Sequence, residues 1–99
     1  MKTQSQDELL RVTGLDRLTA ANANYFKETI QTVIADQHRI VEVDCSRISH
    51  MDSDGLGALV AIYKLVTPRK GNIRLVGVQP MVRKLLELLK FQQLFEITN

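Results

Sequence analysis

Two short β-branched runs, Ile40-Val41-Glu42-Val43 and Ile73-Arg74-Leu75-Val76, flank one stretch of helical periodicity. That arrangement narrows the choice of architecture more than anything else in the chain. A strand–helix–strand connection carries the chain back to the end of the sheet where it began, so the two strands run parallel. The pattern also occurs upstream. Leu9-Leu10-Arg11-Val12-Thr13, stopped by Gly14, reads as a strand. Thr19 is then expected to cap a helix in which Ala23, Phe26, Ile30, Val33 and Ile34 recur on one face, while Lys27, Glu28 and Gln31 face away. In the next helix, from about Ser53 to Lys64, Leu56, Leu59, Val60 and Tyr63 form a stripe, and Gly55, Gly57, Ala58 and Ala61 keep another face slim. Pro80 opens a third helix whose Val82, Leu85, Leu86 and Leu89 are expected inward. Leu94-Phe95-Glu96-Ile97 adds a short final strand.

The first eight residues, by contrast, read as a poor strand. The expectation is an α/β fold: a small, single-layer mixed sheet of about four to five strands, largely covered by three or more helices. With 99 residues and no repeat or linker, residues 1–99 form one domain.

Composition excludes several classes of function. Thirteen basic against 11 acidic residues leave a net charge of +2, far from the strongly basic face that nucleic acid selects. No apolar run approaches the roughly 20 residues needed to span a bilayer, and the polar N-terminus lacks the apolar stretch of a secretion signal. Cys45 is the only cysteine, so no internal disulfide forms. A reducing, cytoplasmic setting is expected, with Cys45 a small buried hydrophobe. Arg69, Lys70, Arg74, Arg83, Lys84 and Lys90 give the C-terminal half a basic lean that reads as a solvated face.

One segment stands out: His50-Met51-Asp52-Ser53-Asp54-Gly55-Leu56-Gly57, where a loop meets a helix. Ser53 is placed to be the N-cap, and Asp54 falls in the first turn, where the helix dipole favours its charge. Gly55 and Gly57 within a helix each cost about 1 kcal/mol against alanine. Two in one turn point to a positional need, either close packing below or close approach of a partner above. His50, Asp52 and Ser53 have the residue types of a hydrolase triad, but near-neighbours at a helix start do not converge as a triad must. Gly55-Leu56-Gly57 begins like a dinucleotide loop, but Val60 stands where the third glycine belongs. His38, expected at the surface, and His50 fit no zinc spacing with a single cysteine. No metal and no cofactor is implied.

The segment resembles the signature of STAS domains, in particular bacterial anti-sigma-factor antagonists, whose pattern is Asp-Ser-Ser-Gly-Leu-Gly after a strand ending in Asp-Leu-Ser. Here the counterparts are Val43-Asp44-Cys45-Ser46 and Met51 to Gly57. The resemblance extends to Gly14-Leu15-Asp16 with Thr19-Ala20, to Pro80 through Leu88, and to Leu94 through Ile97. It implies a phosphorylation-controlled protein-binding switch and no enzyme. A serine-kinase regulator of anti-sigma type binds the antagonist, phosphorylates the serine matching Ser53 and is released, and a serine phosphatase reverses the step. Asp52 then holds the loop or orients the hydroxyl, and Asp54, Gly55, Leu56 and Gly57 complete the switch loop and partner contact. The alternative is a constitutive scaffold of the same fold in a transporter-associated or stress-signalling assembly, with Ser53 only capping a helix. The chain departs from the pattern at Asp54, where relatives carry a small neutral residue, and at Lys90, where they carry glycine. Asp54 is expected to bias the switch toward its unphosphorylated, partner-bound form, or to tune it to a kinase carrying a matching Lys or Arg. A less covered sheet edge leaves room for a homodimer or a larger partner.

Overall fold

The computed structural model describes residues 1–98. The strands are β1 Lys2–Gln6, β2 Leu9–Thr13, β3 Ile40–Asp44, β4 Asn72–Val76 and β5 Glu96–Ile97, and the helices are α1 Ala23–Val33, α2 Ser53–Val66 and α3 Pro80–Leu88. The sheet runs β1-β2-β3-β4-β5, with β1 antiparallel to β2 and every other neighbour parallel. This is the mixed α/β sheet expected from the strand–helix alternation, with one helix on each parallel crossover.

Strand register explains where the core lies. Leu10, Val41 and Ile73 are cross-strand partners, as are Val12, Val43 and Leu75, and all six are buried. They share one face with Phe26 and Ile30 of α1, Leu59 and Ile62 of α2, and Val82 and Leu86 of α3. The opposite face carries a charged row instead of helices. Arg11, Glu42, Arg74 and Glu96 occupy matching positions on β2 to β5 and pair in sequence at 2.9, 3.1 and 3.5 Å. Burial raises the Glu42 pKa, but hydrogen bonds and charge from Arg11 and Arg74 outweigh it and hold the carboxyl below its ordinary range. The helices therefore cover one face of the sheet only.

The N-terminal segment corrects the sequence reading. Lys2–Gln6 is a strand, paired residue for residue with β2 through a two-residue turn at Asp7-Glu8. Asp7 takes the left-handed conformation there (φ 53), which aspartate tolerates better than most residues. As an edge strand β1 is exposed at most positions, so backbone pairing rather than apolar alternation holds it. Its presence also explains His38, which is 1% exposed and not at the surface. The imidazole accepts from Ala35 N–H at Nδ1 (2.9 Å) and shares a 2.7 Å hydrogen bond with Ser5 of β1 at Nε2.

Three local expectations also change. Thr19 does not cap α1. It starts a turn in which its carbonyl accepts from Asn22 and Ala23, and Asn22 takes the cap position. Leu89 is half exposed because α3 ends at Leu88 and Lys90 turns the chain at φ 63, the left-handed conformation usually given to glycine. Arg69 and Arg74 are not merely solvated. Arg69 donates to the Ala35 and His38 carbonyls, and Arg74 belongs to the charged row. Cys45 is buried as expected, and burial, then the Asp44 charge, push its thiol up to about 12, which leaves it unreactive.

Candidate functional site

The loop between β3 and α2 is fixed at both ends before it delivers Ser53. At its start Asp44 accepts from the Ser46 hydroxyl and from Ser46 N–H, the latter at 2.9 Å, and these hydrogen bonds hold the Asp44 carboxyl below its usual range. Gln79, just ahead of α3, donates to the Ser46 carbonyl at 2.9 Å. In the middle Ile48 is fully buried. At the end Leu18 N–H donates to the His50 carbonyl (3.0 Å), and Asp52 N–H to the Leu18 carbonyl (3.3 Å), so the loop pairs with the segment leading into α1.

Asp52 joins the two segments. One carboxylate oxygen accepts from Gly55 N–H and the other from Ala20 N–H, each at 3.0 Å. These contacts, with Gly55 the stronger, hold the carboxyl below the ordinary aspartate range. Asp52 is therefore the N-cap of α2, and Ser53, expected as the cap, is the first residue of the helix. The reason is geometric. A cap side chain must reach back to an amide one turn on, and at this position it is the carboxylate that does so. Ser53 is left exposed, with no hydrogen bond to its hydroxyl among the described residues.

The two glycines answer different needs. A Cβ on Gly55 would lie 1.8 Å from the Leu18 carbonyl oxygen, so α2 can approach that segment only with glycine there. A Cβ on Gly57 would meet nothing within 4 Å. Gly57 instead lines an open groove of about 440 Å³ between α1 and α2, with Ser53, Asp54, Ala58, Ala20, Ala23, Asn24 and Lys27. Of the expected site residues, Ser53, Asp54 and Gly57 thus reach this open surface. Gly55 lies against Leu18, and Leu56, 6% exposed, belongs to the core, so both shape the site from beneath. Lys27, expected to face away, is half-buried in the same groove, and only the pairing of α1 with α2 reveals it.

Two other chemistries do not assemble here. His50 Nδ1 shares a hydrogen bond with Ser49, while both Asp52 oxygens are held by backbone amides, so no acid–base relay leads to Ser53. Among the described residues no cluster of histidine, cysteine or carboxylate side chains could hold a metal ion.

The STAS domain family model matches residues 1–99. The chain belongs to the STAS domain family. An anti-sigma-B factor antagonist of Listeria monocytogenes is 27% identical over 82 residues, covering 83% of this chain and 72% of the relative. Among solved structures, a putative anti-sigma factor antagonist of Thermotoga maritima superposes with a TM-score of 0.88 at 21% identity, over 99% of this STAS domain and 85% of that chain. The Bacillus cell fate determinant SpoIIAA in its phosphorylated form superposes at 0.70 with 19% identity, over 99% and 90%. At such identities the structural likenesses establish the fold of this STAS domain.

Proposed function

We propose that this STAS domain is a phosphorylation-controlled protein-binding switch of the anti-sigma-factor-antagonist type, with Ser53 as the phosphoacceptor. A serine-kinase regulator docks over the start of α2, transfers a phosphoryl group from ATP to Ser53 Oγ and is released, and a serine phosphatase removes the group. The observation that carries this reading is the contrast between Ser53 and its neighbours. Ser53 is exposed and its hydroxyl is unengaged among the described residues, whereas Ser49 is bonded to His50 and Ser46 is tied to Asp44. The anti-sigma-B antagonist of Listeria supports the same assignment of class.

In the transfer, the bond between the γ-phosphorus and the bridging oxygen of ATP breaks, and a bond from that phosphorus to Ser53 Oγ forms. ADP leaves, and the hydroxyl proton passes to a base. With both its oxygens engaged by amides, Asp52 holds the loop, and the base belongs to the kinase. The phosphate adds about −1.5 to −2 charges to the partner-facing surface. Two unit charges about 6 Å apart at an effective dielectric near 20 repel by roughly 2–3 kcal/mol, which is more than tenfold in affinity.

Binding measurements with the kinase regulator test this. Ser53→Glu is expected to keep its circular dichroism and lose at least tenfold in affinity, while Ser53→Ala binds and resists modification. Undiminished binding by both Ser53→Glu and the phosphorylated protein would contradict the switch and favour a constitutive scaffold.

A further inference from the structure

Among the described residues every ion pair involves an arginine. Lys2, Lys64, Lys70, Lys84 and Lys90 are exposed, as solvated lysines are. Lys27 is the exception: it is half-buried and makes no ion pair among the described residues. It lies in the groove between α1 and α2 that Ser53 and Asp54 also line. Asp54, too, is without an ionic partner there. The groove thus holds one ammonium and one carboxylate that do not touch, together with an unengaged hydroxyl. Gly57 keeps the wall beside them free of a side chain.

We propose that Lys27 is the positioning residue of the phosphorylated state: its ammonium closes on the Ser53 phosphate and ties α1 to α2 across the groove. This rests on reading Ser53 as the phosphoacceptor. A lysine head on a four-carbon stem carries three donors and can swing onto an incoming oxyanion. With its stem already packed into the groove, Lys27 loses less side-chain freedom on meeting a dianion than a fully exposed lysine does. Lys27 and Asp54 sum to zero charge in the unmodified groove, so Lys27 offsets the repulsion that Asp54 alone would exert on the phosphate. Modification then stiffens the α1–α2 junction at the surface the kinase must leave.

Phosphoserine placed at position 53 by genetic encoding tests this without any kinase. Phosphorus NMR follows the second ionisation of the phosphate, ordinarily near about pH 6. Lys27→Gln is expected to raise the midpoint by about half a unit to one unit at low salt, with a smaller shift at high salt. Lys27→Arg should keep the wild-type midpoint. Glutamine and arginine are both good helix formers, and circular dichroism verifies the fold. A Lys27→Gln midpoint equal to wild type, or a Lys27→Arg midpoint equal to that of Lys27→Gln, overturns the proposal. Neither result touches the identity of the phosphoacceptor, which is decided separately by where a kinase puts the phosphate.

Discussion

Gly55 and Gly57 sit two residues apart on the same helix, yet one is enclosed and the other is open. Gly55 presses against the Leu18 carbonyl, in the inner half of a junction where Asp52 clamps the start of α2 to the segment leading into α1. Gly57 faces the groove beside Ser53 and Asp54, where a Cβ would touch nothing. The difference separates two jobs within a single helical turn. The inner half fixes the position of the serine, and the outer half leaves it accessible. An acceptor for another enzyme needs both, since the kinase must find the hydroxyl in one place and reach it unobstructed.

The contrast is most sharply tested from the inner side. Gly55→Ala must displace backbone, and it should lose at least about 3 kcal/mol in urea unfolding or fail to fold. A loss below about 1 kcal/mol would mean that the helix can shift away from Leu18 and that the close approach is not required.

Asp52→Ala should lower the melting temperature by roughly 4–8 °C at neutral pH, through loss of the cap. The pH dependence has a definite sign. The folded-state pKa of Asp52 is depressed below the ordinary aspartate value of 3.8, so its contribution is present above that value and fades as pH falls through the folded one. Melting curves of wild type and Asp52→Ala should therefore converge in acid. A gap that stays constant down to pH 2 would assign the loss to packing rather than to the carboxylate.

On the outer side, Gly57→Ala should stabilise the domain by about 0.5–1 kcal/mol, because alanine is the better helix former and nothing blocks it. The same methyl lies on the groove wall and should slow phosphorylation of Ser53. A destabilised Gly57→Ala would show that the groove is closed in solution. Smallest of all, Ser53→Ala should change stability by no more than about 0.5 kcal/mol, since its hydroxyl supports nothing in the fold. A larger loss would make Ser53 a structural residue and blur the division between the two halves.

Much of this was legible in the sequence, for physical reasons. Apolar runs buried under helices, such as Val41 and Val43 or Ile73 and Leu75, imprint their burial on the residue pattern. β1 leaves no such imprint because backbone pairing at an edge holds it, and missing it also concealed the burial of His38. At the site, the unusual run from Asp52 to Gly57 marks the turn where α2 begins. Composition alone did not decide which residue caps it, since serine and aspartate are both good caps and only the reach of the carboxylate to Gly55 and Ala20 settles the matter. Lys27 was hidden for a different reason. Its position on α1 says nothing about α2 until the two helices are packed side by side.

Incubating the protein with a serine kinase of the anti-sigma type and ATP, then mapping the modified residue by peptide mass spectrometry, tests the central claim most directly. The expected result is a single phosphate on Ser53, absent from Ser53→Ala. Phosphate on Ser46 or Ser49, or a Ser53→Ala variant modified as fully as wild type, would contradict it.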